Sequence, residues 1–205
     1  VCSLQNGLTE ERLVAALDAT VLAGTASYGA CIAEPGRVTC TGVGEVVLGP
    51  REGGESPAAG RVGAAFDEAG IETTVAADMP HRSWEKLAVN AGINATTALA
   101  RVSNGALLSG SVREVARKAA CEGARVARNQ GHSLSGQQVM DRTVDVAEAT
   151  AANTSSMHQD VRAEKRTEID AINGYIVERA EKPALVNETL TALVQAWERE
   201  RGLRA

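Results

Sequence analysis

The feature that most constrains this chain is a change of texture at Trp84. Before it, short apolar runs are cut every few residues by Gly and Pro; after it, Ala, Leu, Val and charged residues recur at helical spacing to the C-terminus. The first part therefore predicts mixed α/β structure. We expect a strand-like start over residues 1–4, a helix over 10–17, strands over 20–26, 38–40, 43–48 and 71–76, and a helix over 60–69. The second part predicts helices only, broken at Asn104-Gly105, near 131–136, near 153–156 and at Pro183. Ala-Asp-Met-Pro-His-Arg at 77–82 marks the boundary, which gives expected domains over 1–78 and 79–205.

Composition narrows the function. A chain of 205 residues that is 44% apolar can bury a core. A net charge of −5 without a dense Lys/Arg block argues against nucleic acid and acidic membrane as partners, because both need a basic face. No run approaches the roughly 20 apolar residues of a membrane span, and no basic segment precedes an apolar one at the start, so a soluble, cytoplasmic protein is expected. Cys2, Cys31, Cys40 and Cys121 are scattered and read as buried small apolar residues. His81, His132 and His158 stand alone, and no metal is expected.

On a helical wheel, Lys86, Asn90, Asn94 and Thr97 fall in one sector of roughly 80°, while Leu87, Ala88, Val89, Ala91, Ile93, Ala95, Ala98 and Leu99 cover most of the rest. A helix apolar nearly all round is expected to be buried. Its polar stripe then faces either a solvent edge or bound polar groups. Two Asn residues cost helix propensity that a free surface does not repay, which favours the second. Burial would lower the pKa of Lys86 toward neutrality and leave it able to donate a proton. Asn104, 18 residues after Lys86, would lie about 27 Å from it in an unbroken helix, but Ser103-Asn104-Gly105 is a turn signal that folds the chain back.

Asn153-Thr154-Ser155-Ser156 reads as a polar helix start, with Ser156 and Gln159 fitting a capping box. Capping alone would explain Ser156; the helix start would also attract a carboxylate. On the helix expected to follow, Met157, Val161, Ile172 and Ile176 form an apolar stripe, and Glu168 falls inside it. It is either an ordinary surface Glu paired with Lys165 or a buried carboxylate that a site uses.

The chain resembles the ketopantoate reductase family over essentially its whole length. The resemblance rests on Gln5-Asn6-Gly7, on Trp84-Glu85-Lys86-Leu87-Ala88-Val89-Asn90 with Asn94 and Thr97-Ala98-Leu99, on Asn104-Gly105, on Ser155-Ser156-Met157-His158-Gln159-Asp160, and on Thr167-Glu168-Ile169-Asp170-Ala171-Ile172-Asn173-Gly174. It implies an α/β remnant of a Rossmann-type dinucleotide-binding domain followed by an all-helical domain like that of 6-phosphogluconate dehydrogenase. It implies NADPH-dependent reduction of ketopantoate to pantoate and, as assembly, a homodimer. By the same resemblance Lys86 is the general acid, Asn90, Asn94 and Asn104 hydrogen-bond the substrate, and Asn153, Thr154, Ser155 and Ser156 hold its carboxylate. Asn6, Ala30 and Glu168 lie on the NADP side.

Three departures stand out. No G-x-G-x-x-G occurs in these 205 residues, and Gly42-Val43-Gly44 fails the pattern at its third Gly, so these residues alone are expected to bind NADPH weakly. Asn94 is followed by Ala95 where the family has Pro, and residues 181–187 are shorter than the family's loop. Two other readings stand beside this one: a related 2-keto-acid or 3-hydroxyacid reductase, and a non-catalytic helical binding or dimerisation module of the same fold.

Overall fold

The computed structural model describes the backbone of residues 1–205 and the side chains of all but Cys31 and Thr41. It divides into two compact units, Val1–Ser83 and Trp84–Ala205.

The first unit is built from two crossovers. Strand β1 (Cys2–Ser3) leads through helix α1 (Glu10–Ala16) to β2 (Leu22–Ala26), which lies parallel to it. Strand β5 (Val46–Pro50) leads through α2 (Pro57–Glu68) to β6 (Thr73–Val75), again in parallel. Antiparallel pairing of β2 with β5 joins the two into one sheet of order β1-β2-β5-β6. Alternation sets the faces. Leu22, Val46 and Leu48 pack with Ala59, Val62 and Phe66 of α2, while Ala23 and Val47 point the other way, toward Ala76 and Met79. A sheet covered on both faces explains why its strands read as continuous apolar runs.

Between β2 and β5 the chain makes a two-stranded ribbon, β3 (Gly29–Glu34) and β4 (Arg37–Gly42), around a turn at Pro35-Gly36 whose Gly has φ +82°. Only its second strand was expected from the sequence. Most of the ribbon's described side chains are exposed, Ile32 at 75% and Val38 at 67%, so no buried face wrote an alternating pattern into β3. Cys40 lies on it and is exposed, and Cys2 and Cys121 are half-buried, so the expectation of four buried cysteines fails at the three described positions; Cys31 lies outside the described side chains.

The second unit holds six helices besides two short irregular turns, and it begins inside a helix. Helix α3 (Met79–Ala100) starts five residues before Trp84, because Pro80 sits in its first turn, where a missing N–H is harmless; the polar run at 77–82 is therefore a helix start and not a linker. Its apolar majority is buried as expected: Leu87, Ala88, Ala91, Ala95 and Ala98 are each at most 2% exposed. After a 3₁₀ turn (Asn104–Leu108) come α4 (Gly110–Asn129), α5 (Gly136–Ala149), α6 (Ser156–Arg162), a π-helical turn (Asp170–Gly174) running into α7 (Tyr175–Glu178), and α8 (Leu185–Glu200). Helix α4 packs against α5 and α8.

Small residues let α3 and α4 approach closely. A Cβ on Gly92 would stand 2.8 Å from the Ala116 carbonyl oxygen and 3.2 Å from the Ala120 Cβ. Since a backbone oxygen cannot swing aside, Gly92→Val should destabilise the fold by about 3 kcal/mol, and Gly92→Ala should also lose stability despite a helix-propensity gain of about 1 kcal/mol. Urea unfolding measures both; a Gly92→Ala protein at least as stable as the parent refutes the close approach.

Two buried polar knots tie the C-terminal helices down. Asn187 donates to the Ala119 carbonyl and to Glu122 and accepts from Asn173, whose amide also reaches the Ala91 carbonyl. Glu198, fully buried on α8, accepts from the Thr167 backbone N–H at 2.8 Å, the Thr167 hydroxyl at 2.7 Å and Arg204 Nε at 2.7 Å. Thr167 and Asn173 of the Thr167–Gly174 motif thus serve the fold.

Candidate functional site

The second unit carries a polar seam along α3. Lys86 and Asn90 are half-buried, Asn94 is 5% exposed and Thr97 fully buried, so the stripe descends from solvent into the core along the helix. Neither the Asn90 nor the Asn94 carboxamide hydrogen-bonds another described residue. Each keeps its donors and acceptor for a ligand.

Burial pushes the Lys86 ammonium below the ordinary lysine range, and the charge of Glu168 pulls it partly back. Glu168 itself is exposed, which corrects the expectation of a buried carboxylate on an apolar stripe. That expectation assumed one helix from Ser156 to Ile176. Instead α6 ends at Arg162, Glu164 takes a left-handed φ of +50°, and a new turn opens at Asp170. Ile169, Ile172 and Ile176 fill the buried positions, Val161 is only half-buried, and Glu168 is left outward in the field of Lys86. Asp160, half-buried, also belongs to this neighbourhood: burial and then the Glu168 charge raise its carboxyl above the usual range, against Lys165. Asp160 carries no sequence signal beyond its place in the Ser155–Asp160 motif.

The deep end of the seam meets the start of α6. Thr97 Oγ1 lies 2.8 Å from the Ile93 carbonyl, to which it donates, and 2.7 Å from Ser155 Oγ. Ser155 then donates to Thr97 and accepts the His158 N–H at 3.2 Å, which makes Ser155 the cap. The capping box expected at Ser156 and Gln159 does not form. Ser156 is exposed as the first helical residue, and the Gln159 amide donates to the Thr154 carbonyl at 2.9 Å. The Asn104 N–H donates to the Asn153 carbonyl at 3.0 Å, so the chain does fold back at the 3₁₀ turn, onto residues 150–153. The Asn104 amide nitrogen is spent on Thr150 at 2.9 Å, and its Oδ1 is buried without a partner. Asn153 is exposed and Thr154 half-buried. In the first unit, Asn6 is half-buried at the turn made by Gly7, φ +79°, and Ala30 is exposed on β3.

Comparison with known proteins places these features in a family. The family model described as "Ketopantoate reductase PanE/ApbA C terminal" matches residues 78–198, and "Ketopantoate reductase PanE/ApbA" matches residues 1–53. The chain belongs to the ketopantoate reductase family. It is 43% identical over 206 residues to 2-dehydropantoate 2-reductase of Halobacterium salinarum, covering 98% of this chain and 68% of that one. It is 39% identical over 202 residues to the enzyme of the same name from Archaeoglobus fulgidus, covering 97% and 68%. A solved ketopantoate reductase from Ralstonia eutropha superposes with a TM-score of 0.88 at 32% identity, covering 98% of this chain and 67% of that chain. The chain thus spans about two thirds of the length of these ketopantoate reductases. D-mandelate dehydrogenase solved with NADH and anilino(oxo)acetate shares the fold, with a TM-score of 0.91 at 24% identity, covering 100% of this chain and 68% of that one. Among the described residues no helix is long and apolar enough to cross a membrane.

Proposed function

We propose that this chain carries the substrate-reducing machinery of an NADPH-dependent 2-dehydropantoate 2-reductase. Residues 1–78 belong to its dinucleotide-binding domain and residues 79–205 form its substrate-binding domain. The observation that supports this most is the α3 seam, where a lysine of lowered pKa shares a face with two carboxamides that hydrogen-bond no other described residue. A keto acid that bears a distal hydroxyl offers a carbonyl oxygen to the Lys86 ammonium and a donor and acceptor to the Asn90 and Asn94 carboxamides.

Family resemblance alone puts Asn6 and Ala30 of the first unit, and Glu168 of the second, on the nicotinamide side, whereas the pyrophosphate cradle of a G-x-G-x-x-G turn is not among residues 1–205. Nicotinamide supplies a hydride to the C2 carbonyl when bound. Lys86 does the rest of the chemistry. Its cationic Nζ polarises the carbonyl oxygen and gives up one proton as charge develops there, so hydride and proton together yield the alcohol. Asn90 and Asn94 hold the substrate's hydroxyl end, and Asn104 supports that wall by fixing residues 150–153. The first N–H groups of α6, with Ser156 and its neighbours Asn153, Thr154 and Ser155, hold the carboxylate.

Turnover by the full-length protein tests this reading. Ketopantoate should exceed 2-oxoisovalerate, which lacks only the hydroxymethyl group, by on the order of 10²-fold in kcat/KM, because the shorter acid leaves the half-buried Asn90 and the buried Asn94 carboxamides unpaired. Asn90→Ala should narrow that ratio. Equal turnover of the two acids would indicate a broader 2-keto-acid reductase, and no turnover of either would indicate a non-catalytic module. Measuring each acid with NADPH and NADH fixes the cofactor.

A further inference from the structure

Just past the end of α3, Arg101 reaches a cavity of about 480 Å³ in the same unit, lined also by His158, Val161, Arg162, Glu164, Trp197 and Arg201. Arg101 lies 15 residues beyond Lys86, about 22 Å along the helix axis, so one small ligand cannot touch both. Three guanidinium groups face a single carboxylate there. Glu164 stands 3.7 Å from Arg201, while Arg101 and Arg162 make no ion pair or hydrogen bond with another described residue. Two unpaired arginines held beside a third repel one another, and an anion between them would remove that cost.

Three further observations shape the ligand. Arg101 at φ +55° and Glu164 at φ +50° are the described non-glycine residues in the left-handed region, and both line this cavity. Gly or Asn is the ordinary choice there, so the strain at Arg101 is retained for its side chain. His158 is 7% exposed, with Nδ1 3.2 Å from the Val102 carbonyl; that acceptor fixes Nδ1 as a donor and leaves Nε2 for a ligand. The Arg201 guanidinium lies over the Trp197 ring at 4.6 Å, which together with Glu164 at 3.7 Å holds the cation in place. Beside the cavity a recess of about 110 Å³ shares Arg101, Val161 and Trp197 and is walled by Ala98, Leu99 and Val194.

We infer that this cavity is a second binding site, separate from the α3 seam, for a small organic anion that joins a phosphate monoester head to an apolar group. Arg101, Arg162 and Arg201 take the head, and the Trp197 recess takes the apolar group.

Calorimetric titration of the full-length protein with phenyl phosphate and with inorganic phosphate tests the site. We expect saturable binding of phenyl phosphate, about tenfold tighter than phosphate because only the ester fills the recess. Arg101→Gly and Arg162→Gln should each weaken phenyl phosphate by tenfold or more, whereas Lys86→Ala should leave it unchanged. Arg101→Gly should also melt at the same temperature or higher, since Gly relieves the left-handed strain. Arg162→Gln, on a regular helix, keeps the test valid if that variant misbehaves. Any of four results overturns the inference: no saturable heat up to about 10 mM ligand; equal affinity for the two probes; affinity untouched by both arginine changes; or sedimentation showing that Arg162→Gln separates subunits while the parent protein binds no phenyl phosphate, which would make the cavity a contact between copies.

Discussion

Replacing Lys86 with Ala in the full-length protein is expected to lower kcat for ketopantoate by on the order of 10²-fold or more, with cofactor affinity near normal. The fold should survive, because a half-buried ammonium whose charged form burial disfavours is not a net stabiliser at neutral pH. The pH profile separates proton donation from simple binding. Burial lowers the Lys86 pKa, so the alkaline fall in kcat should come below the ordinary lysine range. Glu168 works in the opposite sense by favouring the ammonium form. Glu168→Gln removes that support, lowers the Lys86 pKa further and should move the alkaline limb toward neutral pH. A Lys86→Ala enzyme with ordinary kcat and only a raised KM would mean that Lys86 merely holds the substrate. An alkaline limb that stays put, or moves to higher pH, in Glu168→Gln would remove Glu168 from the site.

Glu198→Leu should cost about 3 kcal/mol, among the largest losses available to a single substitution in the helical unit. The carboxylate accepts from the Thr167 N–H, the Thr167 hydroxyl and Arg204. Leu leaves a buried backbone donor unsatisfied and leaves Arg204 with Asp170 as its remaining partner. For a unit of this size the melting temperature should fall by on the order of 10 °C. Asp170 reports the same network. Burial works to raise its pKa, but the hydrogen bonds and charge of Arg204, with Gln195, bring it below the usual carboxylate range. A folded pKa below the unfolded one gives stability that is present above the unfolded value and lost as pH falls through the folded value. Acid titration of Glu198→Leu should still show that loss, because Arg204 keeps Asp170. A variant that melts within about 2 °C of the parent would show that Glu198 is tied elsewhere.

The α3 helix illustrates what local pattern conveys. Its apolar majority and its four polar positions come from spacing alone, and the buried apolar face and the descending polar seam both follow from that spacing. The sheet strands were legible for the same reason, since β2 and β5 are buried on both faces and carry continuous apolar runs. Strand β3 was not legible, because an exposed ribbon buries no face and leaves no periodicity.

The helix start at 153–156 shows where pattern runs out. Ser155 and Ser156 both suit an N-cap in sequence, and Gln159 favours Ser156 through the capping-box pattern. Thr97, 58 residues away, decides between them by hydrogen-bonding Ser155. Likewise the helix imagined through Glu168 fits a periodic stripe, yet the left-handed Glu164 breaks it and turns Glu168 outward, with Thr167 tied back to Glu198 from 31 residues away.

What the sequence determined by itself was therefore everything that repeats locally: the switch from mixed to helical texture, the buried helix, its stripe of Lys86, Asn90, Asn94 and Thr97, and the motifs that carry the family resemblance. Tertiary structure alone decided which of two serines caps α6, that Asn104 spends its amide on Thr150, that Glu168 is exposed beside Lys86, and that three arginines distant in sequence share one cavity. The physical reason is range. Periodicity records which face of an element is buried, whereas a hydrogen bond or a charge is placed by whatever partner the fold brings within a few ångströms, and no local pattern encodes that partner.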